Sequence, residues 1–189
     1  MIRDLILQNR SYRRFHQDVT IAEETLKELI DLARCSASGG NRQPLKDLLS
    51  CDPEKNALIF QTLSWASALR DWSGPAEGER PSAYIIILLD KEIAQSTSCD
   101  QGIAAQSILL GAAEKGLGGC MFGSAKREVL RNNLNIPEQY DPILVLALGE
   151  PGEKVALETL EPGQSFDYWR DSDSVHHVPK RRLDDIIVS

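Results

Sequence analysis

Asp100-Gln101-Gly102-Ile103-Ala104-Ala105-Gln106-Ser107-Ile108-Leu109-Leu110-Gly111-Ala112-Ala113-Glu114-Lys115 is the longest low-polarity helical stretch of the chain. Alanine and glycine occupy several of its sides, which suits close packing against other helices, including across a dimer axis. Gly116-Leu117-Gly118-Gly119 ends it in the manner of a glycine C-cap. Cys120-Met121-Phe122 then reads as a short strand. A buried helix leading through glycines into a strand sets a mixed architecture, and the flanks agree with it. Upstream, Ala83–Asp90 is a short continuous apolar run of the sort found in central strands. Downstream, Lys126–Leu134 predicts a helix stopped by Pro137. Ile143–Leu148 predicts a second buried strand, closed by Gly149-Glu150-Pro151-Gly152.

Nearer the start, Ile2, Leu5 and Ile6 share a helical face. Thr20 and Glu23 have the spacing of a capping box before a helix that runs to about Cys35. Ser36–Asn41 is a loop by composition, and Leu45–Cys51 predicts a strand. A helix from Asp52-Pro53-Glu54 through Leu58, Leu63 and Leu69 follows, then a surface loop over Asp71–Pro81. The tail, Glu153–Ser189, shows little periodicity before Leu183–Val188, and such a tail is expected to wrap around something. Helices and strands mingle without repeats, so the fold class is α+β or mixed α/β, in one domain over 1–189.

The 189 residues suffice for a sizeable core. With 42% hydrophobic and 26% charged residues the composition is that of a soluble protein. The net charge of −7 argues against a nucleic-acid partner. Two basic clusters, Arg10/Arg13/Arg14 and Lys180/Arg181/Arg182, stand out against that average and suit a small anionic ligand. Cys35, Cys51, Cys99 and Cys120 form no CxxC pair and are expected to be free, mostly buried thiols. No signal peptide is evident and no apolar run is long enough to span a bilayer, so no membrane partner and a cytoplasmic location are expected.

Four segments could carry chemistry. Asn9–Phe15 offers guanidiniums and a hydroxyl as an anion cradle, or forms a solvated basic turn at a helix end. Ala37-Ser38-Gly39-Gly40-Asn41-Arg42-Gln43-Pro44 could approach a flat ligand, or be a plain turn. Gly116–Ser124 could present backbone N–H groups to a ring nitrogen, or only cap a helix; it has neither P-loop nor Rossmann spacing. His176-His177-Val178-Pro179-Lys180-Arg181-Arg182-Leu183 is a cationic tail whose histidines lack further metal ligands at suitable spacing, so no metal is expected. Neither GxSxG nor HExxH is present.

The order of these segments resembles the FMN-dependent nitroreductase family. Its Arg-Ser-x-Arg, Ser-x-x-Asn-x-Gln-Pro, Gly-Leu-Gly and Pro-Lys-x-Arg elements correspond to Arg10–Arg13, Ser38–Pro44, Gly116–Gly118 and Pro179–Arg182, across nearly the whole chain. The resemblance implies an α/β/α sandwich with a central, mostly antiparallel sheet, and a homodimer with exchanged C-terminal tails. FMN would lie at the dimer interface. Arg10, Ser11, Lys180 and Arg182 would hold its phosphate and ribityl chain. Arg13 would sit at the N1/O2 edge, as an electrostatic rather than an acid–base group. Met121, Phe122 and Gly123 would line the ring, and Ser38, Gly39 and Asn41 would come from the other subunit. NAD(P)H would deliver hydride, and a small acceptor such as a nitro compound or quinone would remove it, in ping-pong order. Leu45 stands where the family often has an aromatic residue after Gln-Pro. The cover of the site would come from residues about 65–80, including Trp65, Arg70 and Trp72. Alternatives are another flavin enzyme of the same fold, such as a dehydrogenase or a dehalogenase, or, from a different class, a non-catalytic flavin-binding module.

Overall fold

In the computed structural model, residues 1–188 are described; Ser189 of the tail segment lies outside them. The central sheet has the strand order β1-β2-β4-β3, with β1 Leu45–Ser50, β2 Ala83–Asp90, β3 Gly118–Phe122 and β4 Tyr140–Gly149. Every neighbouring pair is antiparallel. β2 is buried over its whole length, as its continuous apolar run requires of a strand covered on both faces. Ile85 and Ile87 point to one face, where α2 (Glu23–Arg34) and α4 (Asp100–Glu114) bring Leu26, Leu29, Ile108 and Leu109. Tyr84, Ile86 and Leu88 point to the other, where α3 (Pro53–Phe60) and α5 (Arg127–Leu134) bring Ile59 and Leu130. The layered α/β/α arrangement around an antiparallel sheet follows from that alternation.

α4 covers the length expected of it. Gly111 lets it pack closely on α2 of the same chain: a Cβ there would fall 2.3 Å from Leu32 Cδ1 and 3.0 Å from Leu29 Cδ2. Gly116, at φ +76°, then turns the chain into β3. α1 (Ile2–Gln8) buries none of its residues, although it carries Ile2, Ile6 and Leu7.

Several boundaries differ from the sequence reading. α2 has no capping box: Ala22 is its N-cap and makes no side-chain cap bond. Ile21 and Leu26 lie instead in one buried cluster, at the positions of a hydrophobic staple. α3 begins as expected, with Asp52 Oδ1 accepting from Lys55 N at 2.8 Å, but stops at Phe60 rather than reaching Leu69. There the Thr62 hydroxyl donates to the Ile59 carbonyl at 2.7 Å, and Ala66 takes a positive φ. α5 ends on Asn135 in the left-handed conformation, two residues before the proline. Of the four free cysteines only Cys120 is buried; Cys35 and Cys99 are exposed.

The largest correction concerns the tail. It forms a second sheet, β5 (Val155–Leu160), β7 (His176–Arg181) and β6 (Trp169–Arg170), in which β7 runs parallel to β5 and antiparallel to β6. Pro179 inside β7 and the two-residue length of β6 are features that hide strands from a pattern reading. Leu183–Asp185 is a short 3₁₀ turn, and Ile186, Ile187 and Val188 beyond it are exposed. No helix among the described residues is long and apolar enough to cross a membrane.

Candidate functional site

The basic segment after α1 runs alongside β3. Tyr12 N donates to the Gly119 carbonyl at 3.0 Å, and Ser11 bridges Gly119. This places Arg10, Ser11 and Arg13 on the wall of a groove of about 360 Å³, together with Gln106 of α4, Met121 of β3, and Tyr168, His176 and Lys180 of the tail. The N-terminal and C-terminal basic clusters are thereby joined through Arg10, Arg13 and Lys180. Arg10 also donates to the Ile6 carbonyl at 2.7 Å, so it serves the negative end of α1 as well.

Arg13 is held by two sets of contacts. Its main-chain N–H donates to Glu153 Oε1 in a short bond, and Arg14 N donates to the same oxygen at 3.1 Å. Glu153 Oε2 accepts from Arg170 Nη2 at 2.8 Å, and the side chains of this pair are 2% and 11% exposed. The Arg13 guanidinium meets neutral groups instead. Nη1 donates to the Ser11 carbonyl at 3.2 Å and lies 3.0 Å from His176 Nε2, and Cζ stands 4.5 Å over the Tyr168 ring. Arginine has only donors, so His176 Nε2 accepts and Nδ1 carries the proton. His176 is fully buried. Burial first, and then the nearby charges of Arg13, Arg170 and His177, lower its pKa to about 4, so the ring is neutral. Burial likewise raises the Cys120 thiol to about 11, which leaves it protonated and inert as a nucleophile.

The second tail histidine has the opposite surroundings. His177 bridges Glu158 Oε1 at 2.6 Å and Asp171 Oδ2 at 3.0 Å, and stacks on Trp169 with centroids 4.0 Å apart. Its bonds to Asp171 and Glu158 raise its pKa. The adjacent histidines therefore serve two different networks.

The structure separates the other expected site residues from this groove within one chain. Ser38 Oγ donates to Asp100 Oδ2 at 2.7 Å and Gly39 N to Asp100 Oδ1 at 2.9 Å. Ser38 and Gly39 border two other cavities, at the N-terminal end of α4. Asn41 is exposed, at φ +55°. Arg182 is exposed and paired with Asp185 at 3.1 Å, outside the groove. Met121 faces the groove, whereas the Phe122 side chain is buried on the opposite face of the sheet, its ring 4.6 Å from that of Trp65. A Cβ on Gly123 would meet nothing within 4 Å, so the backbone there is open to a ligand. Gly118 and Gly119 make room for protein rather than ligand: Cβ atoms there would strike Tyr12, Pro151 and Leu109.

Residues 65–72 stand beside the groove wall. Ala68 N donates to the Tyr168 hydroxyl at 3.4 Å, and the Arg170 guanidinium lies 4.3 Å over the Trp72 ring. Glu153, Tyr168 and Gln106 escaped the sequence reading, because a lone polar residue after a strand or on a helix carries no periodic signal. His176 was visible only as a candidate metal ligand.

The nitroreductase family matches residues 6–59 and 77–150, more than half of the chain. A putative NADH dehydrogenase/NAD(P)H nitroreductase of Methanothermobacter thermautotrophicus is 28% identical over 164 residues, covering 83% of this chain and 81% of that protein. The crystal structure of a nitroreductase family protein from Streptococcus pneumoniae TIGR4 superposes with a TM-score of 0.70 at 16% identity, covering 100% of both chains. An FMN-dependent nitroreductase from Clostridium difficile R20291 gives a TM-score of 0.66 at 23% identity, covering 79% of this chain and 87% of that one.

Proposed function

The chain belongs to the nitroreductase family, and from that premise we propose that it is an FMN-dependent NAD(P)H oxidoreductase, a homodimer of one-domain chains working in the cytoplasm. The observation that carries this reading is the Arg13 guanidinium on the groove wall. Among the described residues it has only neutral partners, and Arg10 and Lys180 line the same groove. Such a site favours a ligand with anionic oxygens at one end and a flat, electron-accepting part at the other.

The donor set fits FMN. Arg10, Ser11 and Lys180 would bind the phosphate and ribityl oxygens through charge-assisted bonds. Arg182 would join them on leaving Asp185, an exposed pair that holds it weakly. Arg13 would face the N1/O2 edge and stabilise negative charge there. Met121 would line the ring, with Phe122 contributing only main chain, and the open backbone at Gly123 would address N5. Bound FMN would supply hydride transfer between NAD(P)H and a small acceptor, a nitro compound or a quinone, taken in turn. The protein's part is to orient that ring and to exclude water, with residues about 65–80, including Trp65, Arg70 and Trp72, as the cover.

Ser38, Gly39 and Asn41 would reach the same ligand from a second copy of the chain. Their distance from the groove within one chain supports this, as do the exposed apolar residues of α1 and of 186–188. Light scattering at micromolar concentration is expected to give a dimer; a flavin-loaded monomer would overturn that part.

The test of function is the absorption spectrum of the purified protein, followed by anaerobic mixing with NADH or NADPH. FMN bands that bleach on mixing are expected. FAD as the dominant flavin contradicts the cofactor assignment. FMN that neither nucleotide reduces would identify a flavin-binding module instead.

A further inference from the structure

We propose that His176 is the positioning residue that aims the Arg13 guanidinium into the groove while leaving its positive charge uncancelled. The inference rests on the FMN reading for its consequence, but the pairing itself is a property of the chain alone.

An arginine beside a ligand needs an acceptor to fix its direction. A carboxylate is the strongest one, and it would also neutralise the charge. A carboxylate is close at hand, yet the structure does not use it in this way. Both oxygens of Glu153 are occupied, by the main-chain N–H groups of Arg13 and Arg14 and by Arg170. Glu153 thus fixes where the Arg13 backbone lies, and its negative charge is matched by Arg170. The guanidinium is directed by an imidazole, a carbonyl and an aromatic face, and none of them carries charge.

His176 is built into this position from several sides. Its main-chain N–H donates to the Lys154 carbonyl at 2.8 Å, which pins β7 beside the residue that follows Glu153. Across the sheet it pairs with Arg170, and its ring lies 5.1 Å from the Tyr168 ring. Burial first, and then the charges of Arg13, Arg170 and His177, oppose its protonation, and the Tyr168 ring packs against it. The protonated Nδ1 is buried and has no hydrogen-bond partner among the described residues. An unpartnered buried N–H is costly, and structures keep few of them. Here that cost accompanies a neutral acceptor beside an arginine that must keep its charge.

The test replaces His176 in three ways and measures FMN retention, the FMN midpoint potential and the affinity for sulfite. Sulfite adds at N5 of oxidised flavin and leaves negative charge at N1/O2, so it reports the field of Arg13 without turnover. His176→Gln keeps a neutral acceptor and should stay within about threefold of wild type in sulfite affinity. His176→Ala frees the guanidinium and should bind sulfite more weakly. His176→Glu neutralises Arg13 and should weaken sulfite binding by roughly tenfold or more, with a lower midpoint potential. A His176→Glu protein with FMN bound and both quantities unchanged overturns the proposal.

A second arm needs no flavin. Long-range ¹H–¹⁵N correlation spectra of the flavin-free protein should show His176 as the Nδ1–H tautomer, with its pKa rising in Arg13→Ala. An Nε2–H tautomer, or a pKa indifferent to Arg13, overturns the pairing. Failure of the wild-type chain to take up FMN would instead remove the cofactor reading, and the spectra would still decide the pairing.

Discussion

The central sheet and the tail sheet are held together by different physics. Around β2 nearly every contact is apolar: Ile85, Ile86, Ile87, Leu146 and Leu148 are at most 1% exposed. In and beside the tail sheet the contacts that direct side chains are polar, some buried and some half-exposed. Glu153 binds two backbone amides and Arg170, His176 binds Arg13, and His177 binds two carboxylates. Apolar burial is non-directional and indifferent to pH, whereas a polar network is directional and depends on protonation. The contrast teaches where rigidity and function divide. The first sheet makes the platform, and the second aims charge across its edge.

Replacing one residue in each region should have different consequences. Ile85→Ala removes a fully buried side chain between α2, α4 and the sheet, and should lower global stability by about 4 kcal/mol. Chemical denaturation followed by far-UV circular dichroism checks this, and a loss below about 1 kcal/mol would mean a loosely packed core. Glu153→Gln should cost about 3 kcal/mol, because it leaves the Arg170 charge buried without its partner. That loss should be local: hydrogen exchange of the amides in 155–181 should rise while those of β2 and β4 stay protected. Exchange rising equally in both sheets would make the two regions one cooperative unit.

The two regions should also differ in their dependence on pH. His177 has a raised pKa in the folded chain, from its bonds to Asp171 and Glu158. Its contribution is fully present below the ordinary histidine value of 6.5 and is lost as pH rises through the folded value. His176 is lowered from 6.5 to about 4, so its contribution is present above 6.5 and is lost as pH falls from there toward 4. The tail sheet should therefore be most stable near neutral pH, with the β2 amides showing no such optimum. His177→Asn should remove the loss on the alkaline side, and His176→Gln the loss on the acid side. Trp169 fluorescence and amide exchange across pH 4–9 read the outcome; a flat profile in the wild type would contradict it. The smallest effect belongs to Arg182→Ala. Its pair with Asp185 is exposed, and the melting temperature of the flavin-free protein should not change measurably.

What was legible in the sequence follows the same division. The run Ala83–Asp90 and the helix after Asp100 announce themselves through composition, and their ends agree with the structure to within a residue. The tail strands do not: β5 has three exposed residues in a row, β7 contains a proline, and β6 is two residues long. The groove itself was half legible. Arg10, Ser11, Arg13, Met121 and Lys180 line it together. Phe122 illustrates the limit, because a strand alternates: once Met121 faces the groove, its neighbour faces the core. Glu153 and His176 were illegible as partners of Arg13, since that role depends on a contact across 140 and 163 positions of chain.

In the proposed site Arg13 presents an uncancelled charge to the N1/O2 edge of bound FMN. Spectroelectrochemical titration of the wild type and Arg13→Ala tests it most directly. The variant should retain flavin, because Arg10 and Lys180 remain, and its midpoint potential should fall by an amount equivalent to roughly 1.5–3 kcal/mol, the scale of a hydrogen bond to a charged group. An unchanged potential in Arg13→Ala, with FMN fully bound, would contradict the account.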